Sequence, residues 1–142
     1  MSAVWIVDDD RSIRWVLEKA LAREEIPYKS FGNANDVLTA LDSAAQPPRV
    51  LVSDIRMPGE SGLTLLSKVK ARFPHLPVII MTAYSDLDSA VAAFQGGAFE
   101  YLPKPFDVDQ AVELVRRAID ETAHQHAGEE VISAVPEILG QA

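Results

Sequence analysis

Short apolar runs alternate with amphipathic stripes five times along this chain, and no other feature narrows its fold as much. Ala3–Val7, Tyr28–Phe31, Val50–Val52, Val78–Met81 and Phe99–Leu102 read as strands. Between and after them, apolar residues recur at helical spacing. The sets are Ile13, Val16, Leu17, Ala20 and Leu21, then Ala34, Val37, Leu38 and Leu41, then Leu65, Leu66, Val69 and Phe73. Leu87, Val91 and Phe94 follow, and Val108, Ala111, Val112, Val115 and Ile119 close the series. Intervals of three and four residues line one face of an α-helix. Pro27, Pro47-Pro48, Pro74, Gly96-Gly97 and Pro103-Lys104-Pro105 punctuate the elements. Asp10 or Ser12, Asn33 or Asn35, Ser85 and Asp107 stand where helix caps are expected, the last two with Asp88 and Gln110 three residues on.

Strict βα alternation with short connections implies a parallel sheet covered by helices on both faces. Right-handed crossovers leave few topologies. The expected one is α/β, a flavodoxin-like (βα)5 doubly wound sheet with strand order 2-1-3-4-5. A chain of 142 residues holds one well-buried domain, placed at 1-121. From about Thr122 the pattern dissolves, so 122-142 read as a C-terminal linker, with Val131 to Leu139 as a short element at most. His124 and His126 are two residues apart, which puts them on different helix faces, and no further ligand lies nearby.

Composition removes several classes of function. Runs such as Pro77-Val78-Ile79-Ile80-Met81 are far too short to span a bilayer. Ala3 to Val7 lacks a basic leader and runs into three aspartates, so no secretory signal is read and a cytoplasmic protein is expected. The absence of Cys excludes disulfides, thiolate metal sites and cysteine catalysis. A formal charge of -8 argues against direct nucleic acid binding by this segment and fits a cation or a basic partner.

The third strand runs into Asp54, and Met57-Pro58-Gly59 turns the chain into a loop. In open α/β sheets the carboxyl edge is where ligands bind. In the 2-1-3-4-5 order the ends of strands one, three, four and five bring Asp8 and Asp9, Asp54, Thr82 and Lys104 to that edge. Each has an ordinary reading alone, as a cap, a turn former or a solvated charge. Acids, a hydroxyl and an ammonium from four separate strands are not explained by turn preference.

The segments VDDDRSIR, SDIRMPGESG, MTAYS and YLPKPF resemble the receiver domain of two-component response regulators, over about Ala3 to Glu121. IRWVLEKAL, VIIMTAYSDLDSAV and GAFEYLPKPFD are similar to its NtrC-like (nitrogen regulation) subfamily. The resemblance implies that Asp54 is a phosphoacceptor supplied by a sensor histidine kinase. It implies that Asp8, Asp9, Asp54 and the main-chain carbonyl of Arg56 hold Mg²⁺, with Asp9 the favoured direct ligand. Asp10 falls at the family's variable position. Thr82 and Lys104 would meet the phosphoryl group, and Tyr101 would be the switch aromatic. Tyr84 falls where the family varies in acyl-phosphate lifetime, and Lys104-Pro105 at a bond that is cis in the family.

The expected output is a change in the fourth helix, fifth strand and fifth helix, a surface suited to a homodimer or another partner. The whole would control a sigma-54-dependent transcriptional activator. Val135 to Gln141 is similar to the start of the AAA+ module that follows such receivers, so AAA+ and DNA-binding domains are expected in the parent protein. This segment has neither a phosphate-binding G-x-x-x-x-G-K-[ST] loop nor a helix-turn-helix signal. An Asp-nucleophile phosphohydrolase of the haloacid-dehalogenase type is the rival reading. Its second acid would fall at Arg56, which cannot donate a proton at neutral pH. A receiver serving only as an unphosphorylated scaffold is the third.

Overall fold

Alternation of side chains across a strand decides where the two cores of this molecule lie. In β1 (Val4–Val7), Trp5 and Val7 enter one core while Val4 and Ile6 enter the other. β3 (Val50–Asp54) and β4 (Val78–Ala83) divide in the same way, Leu51, Val78 and Ile80 against Val50, Val52, Ile79 and Met81. Strands buried on both faces are those of a parallel sheet enclosed by helices. β2 (Tyr28–Phe31) and β5 (Glu100–Lys104) form the edges of a five-stranded sheet ordered β2-β1-β3-β4-β5, with every pairing parallel. Pro103 is tolerated because β5 has a partner on one side only. The structure, a computed structural model, describes residues 3–43, 47–56, 61–83, 87–104 and 106–134.

Five helices complete the layers: α1 (Arg11–Arg23), α2 (Ala34–Ser43), α3 (Gly62–Arg72), α4 (Leu87–Gln95) and α5 (Val108–Ala134). Val37, Leu41, Leu65, Val69 and Ala93 place α2, α3 and α4 on one face. Leu17, Leu21, Ala111, Val115 and Ala118 place α1 and α5 on the other. Ion pairs tie neighbours within each layer, Arg116 with Glu24 and Arg72 with Asp42. Among the described residues, no helix is long and apolar enough to cross a membrane.

The caps follow local chemistry. Asp10 accepts the Ser12 N–H at 2.9 Å, Asn33 accepts the Asp36 N–H at 2.8 Å and Asp107 accepts the Asp109 N–H at 2.8 Å. Ser61 caps α3 by accepting the Thr64 N–H at 3.2 Å.

The apolar stripe Leu87, Val91, Phe94 is not the buried face of α4: Val91 is 53% and Phe94 44% exposed, while Ala90 and Ala93 are buried. Small side chains let α4 lie close to the sheet and leave no room for the large ones beneath it. The last helix continues beyond its apolar stripe to Ala134. Ala123, Gln125, Ala127, Glu129, Glu130 and Ala134 are strong helix formers, no Pro interrupts residues 122–134, and Gly128 alone costs only about 1 kcal/mol. The readings of Met57-Pro58-Gly59, Tyr84, Ser85, the Lys104-Pro105 bond and Val135 to Gln141 involve positions outside the described residues.

Candidate functional site

Three strands reach further than their apolar runs, and this extension fixes the site. β3 continues through Ser53 and Asp54, β4 through Thr82, and β5 through Lys104. These groups therefore sit on hydrogen-bonded ladder positions rather than in turns. Register sets their levels: Val7 lies opposite Ser53, Asp54 opposite Met81, Thr82 opposite Pro103, and Ala83 opposite Lys104. Asp8, one residue past β1, is thereby carried beside Asp54.

Asp8, Asp54 and Thr82 are buried, while Asp9 is exposed. Carboxylate oxygens of Asp8, Asp9 and Asp54 all lie within 4.8 Å of one another. The Lys104 ammonium bridges two of them, with Nζ 3.0 Å from Asp8 Oδ2 and 3.2 Å from Asp54 Oδ1. The other Asp8 oxygen accepts the Asp10 N–H at 2.9 Å. Burial pushes the Asp8 carboxyl up to about 6, against the opposing pull of the Asp10 N–H and Lys104, and the Asp54 charge adds to the rise. Burial alone would lower the Lys104 ammonium, but its pairs with Asp8 and Asp54 outweigh that and raise it.

The donor set suits a small hard cation. An octahedral ion with bonds of about 2.1 Å has ligand oxygens about 3 Å apart when adjacent and about 4.2 Å apart when opposite. Oxygens already within 4.8 Å need only slight closure, or one bridging water, to share such a shell. Arg56, two residues after Asp54, lies just past the end of β3 and is exposed. Tyr101 lies apart from it. Half-buried in β5 opposite Ile80, it meets the Phe94 ring edge-on at 5.6 Å between centroids.

Two residues at the site escaped the sequence reading. Gly62 opens α3 against the Asp54 main chain, and a Cβ there would come within 2.3 Å of the Asp54 carbonyl oxygen. Its N–H donates to the Ile55 carbonyl at 2.8 Å. The SG pair ahead of an apolar helical stripe was the available signal. Arg14 donates to the main-chain carbonyl of Asp8, and nothing in an amphipathic helix distinguishes it beforehand.

Residues 4–116 match the response regulator receiver domain. The chain belongs to the response regulator receiver family. This receiver is 57% identical over 141 residues to the DNA-binding transcriptional regulator NtrC of Salmonella typhimurium, covering 98% of this chain and 30% of that protein. It thus spans under a third of the length of the curated relatives that match nearly all of it. The apo receiver domain of nitrogen regulatory protein C, solved in solution, superposes with a TM-score of 0.75 at 63% identity, over 84% of this chain and 94% of that one. The beryllofluoride-activated form of that domain gives 0.72 at 62% identity, over 84% and 97%. The receiver identity, the NtrC-type relationship and the 2-1-3-4-5 sheet agree with the motifs at the four strand ends.

Proposed function

We propose that this receiver accepts a phosphoryl group on Asp54 from a sensor histidine kinase and thereby switches an NtrC-like, sigma-54-dependent transcriptional activator. The observation that carries the reading is Asp54 on a strand end, 3.2 Å from the Lys104 ammonium and sharing an acidic cluster with Asp8 and Asp9.

Charge explains the parts. Two like charges 4 Å apart repel by about 4 kcal/mol at an effective dielectric of 20. A phosphoryl group bringing a charge of roughly -1.5 to -2 does not enter such a pocket unaided. Asp8, Asp9, Asp54 and the Arg56 main-chain carbonyl would hold Mg²⁺, Asp9 directly. The ion, when bound, supplies the countercharge that admits the phosphoryl oxygens. An Asp54 carboxylate oxygen attacks phosphorus in line with the leaving imidazole nitrogen of the kinase, so an O–P bond forms as the P–N bond breaks. Lys104 turns from Asp8 to a phosphoryl oxygen, and the Thr82 hydroxyl donates to another.

Movement of Thr82 is then passed to α4 and to the Tyr101–Phe94 contact on the neighbouring strand. Val91 and Phe94 are exposed on α4, and with β5 and α5 they form the surface for a second copy or another partner. Couplings of about 1–3 kcal/mol suffice to shift such an assembly. The receiver comprises 1-121. Residues 122-142 connect it to AAA+ and DNA-binding domains, beginning as the continuation of α5. The setting is the cytoplasm.

Acetyl phosphate with Mg²⁺ tests this by intact mass. The expected result is a gain of one phosphoryl group that needs Mg²⁺ and is lost in Asp54→Asn. No gain, or continuous phosphate release from many esters, overturns the reading.

A further inference from the structure

Arg14 stands in the first turns of α1, half-buried, and its Nη1 donates to the main-chain carbonyl of Asp8. The reason that carbonyl needs a donor is topological. β1 and β2 run parallel with Val7 opposite Phe31, and the Asp8 N–H still donates to the Phe31 carbonyl at 3.2 Å. The next rung of this ladder would bring the Asn33 N–H to the Asp8 carbonyl. The chain turns first. β2 ends at Phe31, and Asn33 turns into the cap of α2, its side-chain Oδ1 accepting the Asp36 N–H. Nη1 of Arg14 lies 3.6 Å from where a Cβ on Gly32 would sit, so the guanidinium fills the place where the two strands part.

Asp8 is therefore held at four points. Its N–H is bound by Phe31, its carbonyl by Arg14, Oδ1 by the Asp10 N–H and Oδ2 by Lys104. If Lys104 leaves for a phosphoryl oxygen, three remain, and Arg14 supplies the one charged bond among them. We infer that Arg14 is a positioning residue: by replacing the missing rung it holds the Asp8 main chain, and through it the Asp8 carboxylate, in register with Asp9 and Asp54 for a divalent cation. The inference rests on the phosphoacceptor reading above.

Charge alone predicts the opposite of positioning. Removing a cation beside an acidic pocket strengthens the binding of Mg²⁺. Removing the support of a ligand residue weakens it, typically 10–100-fold. Calorimetric titration of the whole chain with Mg²⁺ separates the two. Arg14→Ala is expected to bind about tenfold more weakly, Arg14→Lys to recover part of the loss, and Arg11→Ala, which removes an exposed charge from the same helix, to stay within about twofold. In metal-free protein the Asp10 amide, which donates to Asp8, is expected to exchange faster with solvent in Arg14→Ala. Unchanged or tighter Mg²⁺ binding by folded Arg14→Ala, or unchanged exchange, overturns the inference. Should Arg14→Ala not fold, Arg14→Lys with wild-type affinity and wild-type exchange overturns it equally. Absence of Mg²⁺ binding by the unaltered chain counts against the phosphoacceptor reading, while the exchange measurement still judges Arg14.

Discussion

Gly62 shows how narrowly a single position is set. Its Cα packs on the Asp54 main chain, so any Cβ collides with backbone that has no rotamer to escape through. Gly62→Ala is expected to lower stability by about 1–3 kcal/mol in urea unfolding. It is also expected to slow acetyl phosphate labelling of Asp54 by tenfold or more, because the carboxylate shifts relative to Lys104. Asp8 gives a second prediction at this scale. Its carboxyl is raised from an ordinary 3.8 to about 6 in the folded chain, chiefly by burial. The folded state thus holds that proton more tightly than the unfolded state does. The resulting stabilisation is complete below about 3.8 and is lost as pH rises through about 6. In metal-free protein, denaturant titrations are expected to show a falling contribution across this window, worth at most about 3 kcal/mol, that disappears in Asp8→Asn. A contribution that rises with pH would contradict the assignment.

At the scale of elements, α4 separates size from burial. Ala90 and Ala93 form its buried face, whereas Val91 and Phe94 are exposed. Ala93→Leu is expected to destabilise by about 1–3 kcal/mol through overpacking. Phe94→Ala is expected to cost less than Ala93→Leu in the same unfolding experiment, about 1 kcal/mol, since nearly half of that residue is already exposed. Periodicity located all five helices because each carries a stripe, but it weighs a side chain by hydrophobicity. It therefore picks out Leu87, Val91 and Phe94 as the stripe of α4, while close approach to the sheet selects alanine for the buried face. The extension of α5 beyond Thr122 was missed for a related reason. A helix can persist on propensity and continuity after its apolar stripe ends, and a pattern search sees only the stripe. The fifth strand was shortened in the same way, since Pro103 and Lys104 carry no apolar strand signal and yet continue the ladder of β5.

At the scale of the molecule, sheet order does most of the assembly. Placing β1 between β2 and β3 brings Asp8 and Asp9 beside Asp54, and Lys104 spans 96 residues of chain to reach Asp8. That convergence was legible from the sequence, because alternation dictates the topology and topology dictates which strand ends meet. Invisible in the sequence was the packing behind it, namely the bare face of Gly62 and the Arg14 bond to Asp8. Neither has a periodic signature. The account depends on those acids sharing one divalent ion next to Asp54. A crystal structure of the chain grown with Mg²⁺ and beryllofluoride tests this most directly. The prediction is a single Mg²⁺ facing Asp8, Asp9 and Asp54, beryllium bonded to Asp54, and Lys104 moved from Asp8 to a fluoride. Asp8, Asp9 and Lys104 pointing away from an unmodified Asp54 would contradict it.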